Sequence, residues 1–78
     1  MSDKERIIDT IAKTFKKDAG ELSDGTRMKE DLNAKSGDYF GVIAVMEEMT
    51  GKKVTYAQLR KRKTLGEIVS FVAELKTQ

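Results

Sequence analysis

The chain has 78 residues, 36% of them charged and 38% apolar, and a formal net charge of +2. That length limits it to one domain, residues 1–78, burying only roughly 60% of its unfolded surface. The balance suits a small helical domain rather than a disordered tail or a membrane protein. Cys, His, Trp and Pro are all absent. This excludes a disulfide staple, a thiolate nucleophile, the usual nitrogen and sulfur ligands of zinc, and the commonest proton-transfer residue near neutral pH. A self-sufficient enzyme is not expected.

The charge is unevenly placed. Residues 1–50 carry 8 Lys/Arg and 11 Asp/Glu, a net of −3, whereas residues 51–78 carry 7 and 2, a net of +5. No stretch reaches the roughly 20 apolar residues of a membrane span, and no signal-peptide run opens the chain, so a cytoplasmic monomer is expected.

In chain order, Ser2-Asp3-Lys4-Glu5 matches the S-x-x-E capping box, in which the serine bonds the amide three residues on and the glutamate reaches back. Ile8, Ile11, Ala12 and Phe15 follow at helical spacing, so a first helix is predicted near residues 3–17, bounded by Gly20. Residues 18–35 are polar, with only Leu22, Met28 and Leu32 to anchor them. A connection this long usually serves a function or hides short helical turns. A second helix is predicted from Ser36 to about Thr50, ended by Gly51. Its core arc of about 160° holds Tyr39, Val42, Ile43, Val45, Met46 and Met49; Phe40, Gly41, Ala44, Glu47 and Glu48 lie opposite.

Thr55-Tyr56-Ala57-Gln58 predicts a short third helix near 56–61, and Thr64-Leu65-Gly66-Glu67 a fourth near 65–75. In the fourth, Leu65, Ile68, Val69, Val72 and Leu75 form the stripe, with Phe71 and Ala73 beside it. The expected fold is all-α: a four-helix bundle of three longer helices and one short third helix, with a long loop between the first two.

The stretch Glu30-Asp31-Leu32-Asn33-Ala34-Lys35-Ser36-Gly37-Asp38 resembles the acyl carrier protein signature E-D-L-G-A-D-S-L-D. The likeness continues through Glu47-Glu48, Val54 and Lys63-Thr64-Leu65 and spans nearly the whole chain. It implies a non-catalytic carrier that holds an acyl or aminoacyl group as a thioester on a 4′-phosphopantetheine arm. Ser36 matches the residue that bears this arm. On spacing alone Ser36 reads as a helix N-cap; as an attachment residue it would set a phosphate against the positive end of the helix. The reactive thiol would then come with the arm, and a chain without Cys offers no competing one.

The resemblance also implies partners, namely a phosphopantetheinyl transferase and the enzymes that load and unload the acyl group. The implied contact residues are Asp38, Phe40, Ala44, Glu47 and Glu48. Phe40 is either an exposed hot spot or tucked beneath the loop against Met28 or Leu32. Met46, Leu59, Ile68 and Phe71 match the family's acyl-sequestering positions. Arg62 stands where an aliphatic residue is usual; its charged head can snorkel outward and narrow the mouth of such a cavity. Lys35 and Gly37 replace the Asp and Leu that flank the serine, and Gly41 replaces an acidic residue. These differences predict a dedicated or tolerant transferase.

Arg60-Lys61-Arg62-Lys63 follows Lys52-Lys53 closely. These cations could contact nucleic acid phosphates, but no aromatic residue interleaves the run, so nucleic acid is the weaker reading. A basic third helix would instead repel the basic docking patches that acidic carriers use. That suits a specialised lipid, polyketide or peptide route rather than general fatty acid synthesis. An unmodified helical adaptor that kept the fold and lost the arm is the alternative.

Overall fold

The computed structural model describes residues 2–77. Four helices follow one another: α1 (Asp3–Phe15), α2 (Ser36–Thr50), α3 (Tyr56–Arg60) and α4 (Leu65–Lys76), with a 3₁₀ turn at Ala19–Glu21 in the long first loop. The all-α bundle expected from the sequence is present.

Local chemistry explains the boundaries. The Ser2 hydroxyl accepts the Glu5 amide and the Glu5 carboxylate accepts the Ser2 amide, both at 3.2 Å. The first helix stops at Phe15, short of the expected limit, because Lys16 turns left-handed at φ 56° and the Lys17 amide closes on Ala12 O at 2.8 Å. The turn that a glycine usually makes is made here by a lysine. Gly51 ends α2 as expected, at φ 69°. The T-x-x-Q box of α3 forms in full, but the T-x-x-E box of α4 forms only by half. Thr64 accepts from the Glu67 amide, while the Glu67 carboxylate reaches past Thr64 to the Lys63 amide at 3.2 Å.

One core joins all four helices and the long loop: Ile7, Ile11, Met28, Tyr39, Val42, Met46, Leu59, Leu65, Ile68 and Val72 are its fully enclosed members. Three stripes are turned relative to expectation. In α1 the pair Ile7 and Ile11 is buried and Ile8 sits at the margin. Two adjacent isoleucines lie 100° apart on a helix, so hydropathy alone could not choose between them. In α2 the buried set narrows to Tyr39, Val42, Ile43 and Met46, an arc of about 100°, with Met49 partly packed and Val45 half-exposed. In α4 Phe71 takes the buried place expected of Val69, and Ala73 faces out.

The long loop is stitched rather than loose. Its Thr26–Met28 segment lies antiparallel to Lys63–Leu65, with Met28 N–H on Lys63 O at 2.9 Å and Leu65 N–H on Thr26 O at 3.0 Å. Next to this clasp the Gly66 amide donates to Asp24 O at 2.9 Å. A Cβ on Gly66 would stand 3.1 Å from that oxygen, so glycine permits the close approach.

Candidate functional site

The clasp fixes the chain that leads into α2. Met28 is fully buried and Leu32 nearly so. Between them Asp31 accepts the Arg27 amide at 2.8 Å and pairs with its guanidinium at 3.3 Å. The backbone hydrogen bond, more than the ion pair, holds Asp31 below the usual carboxylate range. Asn33 then takes a left-handed turn at φ 53°, Ala34 N–H closes on Met28 O at 2.9 Å, and the chain extends at Lys35 to start the helix.

Lys35, not Ser36, occupies the N-cap position. The Asp38 carboxylate reaches back to the Lys35 amide at 3.0 Å, so the helix start is closed without help from the serine. The N-cap reading of Ser36 is therefore corrected: it is the first helical residue, exposed, and its hydroxyl donates to the Tyr56 phenol oxygen at 3.3 Å. The amides of Ser36 and Gly37, as first-turn groups, have no acceptor within the helix. A phosphate ester on Oγ would sit at this positive end.

Tyr56 is the neighbour that sequence reading missed. It opens α3 as Ser36 opens α2, and its ring stands 5.5 Å from Tyr39, edge-on, and 5.9 Å from Phe40. The T-x-x-Q box did place Tyr56 at a helix start; nothing in the sequence said that the two starts meet. Phe40 is 59% exposed. It leans on Tyr56 and does not tuck under the loop against Met28 or Leu32.

The other candidate contact residues differ in how free they are. Ala44 is exposed. Glu48 is exposed and pairs with Arg6 at 3.3 Å. Glu47 is half-buried and accepts the Val54 amide at 2.9 Å, so it bridges α2 to the segment before α3. Asp38 is occupied by the helix start. Gly37 and Gly41 are not imposed by packing, since a Cβ at either would meet nothing within 4 Å.

Met46, Leu59 and Ile68 are fully buried and Phe71 is 5% exposed, all in the one core cluster. Arg62 covers Phe71, its guanidinium carbon 4.4 Å from the ring centroid and one nitrogen 3.9 Å from Glu74. Its Nε is buried without a partner. The head therefore lies across the bundle on an aromatic face, and the basic run is not one continuous stripe. Outside the core a cleft of about 180 Å³ is lined by Met28, Lys29, Glu30, Tyr39, Arg60 and Lys63.

Known proteins match more than nine-tenths of the chain in sequence. It is 32% identical over 75 residues to the acyl carrier protein of Lactobacillus acidophilus, a match covering 92% of this chain and 94% of that protein. The chain belongs to the acyl carrier protein family. Acyl carrier proteins of Borreliella burgdorferi and Borrelia garinii are 27% identical over 71 residues, covering 91% of this chain and 89% of theirs. No family model matches the chain. Among the described residues no helix is long and apolar enough to cross a membrane.

Proposed function

We propose that this acyl carrier protein family member is a non-catalytic carrier whose Ser36 Oγ bears a 4′-phosphopantetheine arm. The observation that supports this best is the state of the Ser36 hydroxyl. It is exposed at the start of α2, free of capping duty, and hydrogen-bonded among the described residues to one phenol. When bound, the arm would supply a terminal thiol for a thioester. The chain's own part is to present and hold it. With Oγ esterified, the Tyr56 O–H is released to donate to a phosphodiester oxygen, and the first amides of α2 face the same charge.

Phe40 and Ala44 form the part of the partner face that has no other task; Asp38, Glu47 and Glu48 add charge while also holding α2 in place. The basic residues Lys35, Arg60, Lys61 and Lys63 favour a specialised lipid, polyketide or peptide route over general fatty acid synthesis. Incubation with coenzyme A and several transferases tests the attachment, read by intact mass. One arm is expected on the native chain and none on Ser36→Ala. Restoring the family residues with Lys35→Asp and Gly37→Leu should raise the rate with a general transferase, because a side chain at 37 meets open space. If no transferase adds the arm, the carrier reading fails and an unmodified adaptor acting through Phe40 and Tyr56 takes its place.

A further inference from the structure

The outward face of α2 has no cover within the chain over its first half. Gly37, Phe40, Gly41 and Ala44 lie within about 100° of one another, opposite the buried arc, and all four are exposed. Phe40 is the large apolar side chain left exposed among the described residues, its ring resting against Tyr56 at 5.9 Å. Beside it the backbone is bare, since a Cβ at 37 or 41 would meet nothing within 4 Å. Charge is spread unevenly around this face. On the α3 flank Arg60 lies one turn beyond Tyr56 on the same side of the helix, and with Lys29 and Lys63 it lines the cleft over Tyr39. Lys35 stands next to Ser36, whose hydroxyl meets Tyr56. None of these four cations takes part in an ion pair among the described residues. Two carboxylates lie with them, Glu30 on the cleft and Asp38, which is turned onto the Lys35 amide. The flank is left with a surplus of two positive charges. Further along the face Glu48 is paired with Arg6 and Glu47 holds the Val54 amide.

We infer that this face docks a helix of a partner protein that is apolar along its centre and acidic along the edge lying over α3. The inference deepens the reading of this face as the partner face and rests on that reading, but not on the arm. The charge calls for carboxylates, because a cationic flank repels like charges and steers opposite ones in. The shape calls for a helix. Where α2 carries glycine, a second helix can approach more closely than the usual axis separation of about 8–10 Å, and Phe40 stands beside that approach as an anchor. A nucleic acid strand fits less well. It needs cations spread along a track and several rings on which successive bases stack. Here the cations gather on one flank, and Tyr56 is half-buried against Phe40.

Two helical peptides of about four turns provide the test, alike in an apolar face of leucine and alanine and differing only in flanks of Glu or Lys. Both are offered to the unmodified chain, so failure of docking and failure of attachment at Ser36 are read in separate experiments. The Glu peptide should bind at least about tenfold more tightly than its Lys twin. That advantage should shrink at about 1 M salt, where charges act over only about 3 Å. Gly41→Gln is the decisive variant. It fills the bare surface and, replacing glycine inside a helix, should hold or raise the melting temperature while weakening the Glu peptide at least about tenfold. Phe40→Ala should weaken it by a similar factor, and Arg60→Glu/Lys63→Glu should reverse the preference between the twins. Equal affinity for the twins overturns the inference. So does the absence of Glu-peptide binding at about millimolar concentration, or binding that Gly41→Gln leaves intact. A single-stranded oligonucleotide or phosphatidylserine vesicles bound more tightly than the Glu peptide would also overturn it. A dimer in sedimentation that Gly41→Gln disperses would assign the face to a second copy of the chain instead.

Discussion

The space inside the bundle and the cleft on its flank differ in every respect that matters for a bound group. Met46, Leu59, Ile68 and Phe71 are apolar and lie in one packed core, with Arg62 across the Phe71 ring. The cleft of Met28, Tyr39, Lys29, Arg60 and Lys63 is open and rimmed with cations. The difference teaches that apolar character is not the same as room. Interiors are packed as densely as organic crystals, and a chain entering there must displace side chains, while one entering the cleft displaces water.

The comparison can be broken from the inside first. Ile68→Ala removes buried methyl groups next to Phe71 and should cost about 2–5 kcal/mol in a urea melt. The void left behind should also bind a small apolar probe that the native chain excludes; no gain in probe binding would show that the core collapses to fill the space. The next effect lies at the helix start. Asp38→Ala should cost about 1 kcal/mol by freeing the Lys35 amide, whereas Ser36→Ala should change stability by less than about 0.5 kcal/mol. Equal losses in parallel melts would mean that the serine does cap α2 after all.

Acid should separate the two regions without mutation. Asp31 is held below the usual carboxylate range, chiefly by the Arg27 amide. A carboxyl whose folded pKa is depressed contributes stability above its ordinary range, and the contribution is lost as pH falls through the folded value. The protection of the Met28 amide against exchange, measured relative to a free peptide at the same pH, should therefore be lost at low pH before that of Val42 or Met46, and Asp31→Asn should abolish the difference. The smallest effect on the fold comes from the rim. Exchange of Arg60, Lys61 and Lys63 for Glu should alter stability by no more than about 0.5 kcal/mol and raise activity with an enzyme that docks acidic carriers. An unchanged rate would mean that these cations do not set partner choice.

Much of the fold was legible because its signals are local. Capping residues set the starts of α1, α3 and α4 and Gly51 the end of α2, and the helical period found most of the buried residues in the three longer helices. What stayed hidden required contact between distant residues. Ile7 and Ile8 are equally apolar, and only packing against α2 and α4 chooses between them. The clasp of 26–28 on 63–65 uses backbone groups that leave no trace in side-chain type. Ser36 stands out as a candidate through the motif around it, yet its freedom from capping duty depends on Asp38 reaching back to Lys35. The meeting with Tyr56, and the gathering of Lys29, Arg60 and Lys63 about one cleft, come from turns made far apart in the chain.

The clasp also bears on when the surroundings of Ser36 are complete. Ser36 lies in the first half of the chain, but the loop that leads into it is pinned by Lys63–Leu65 and Gly66, and its hydroxyl partner is Tyr56. A nascent chain emerges from its N-terminus, so the serine leaves the ribosome well before the residues that frame it. The finished setting at Ser36 thus reports that the last helix has been made and docked, and a chain cut short before Lys63 would carry the same signature motif without the clasp and the phenol that frame the serine.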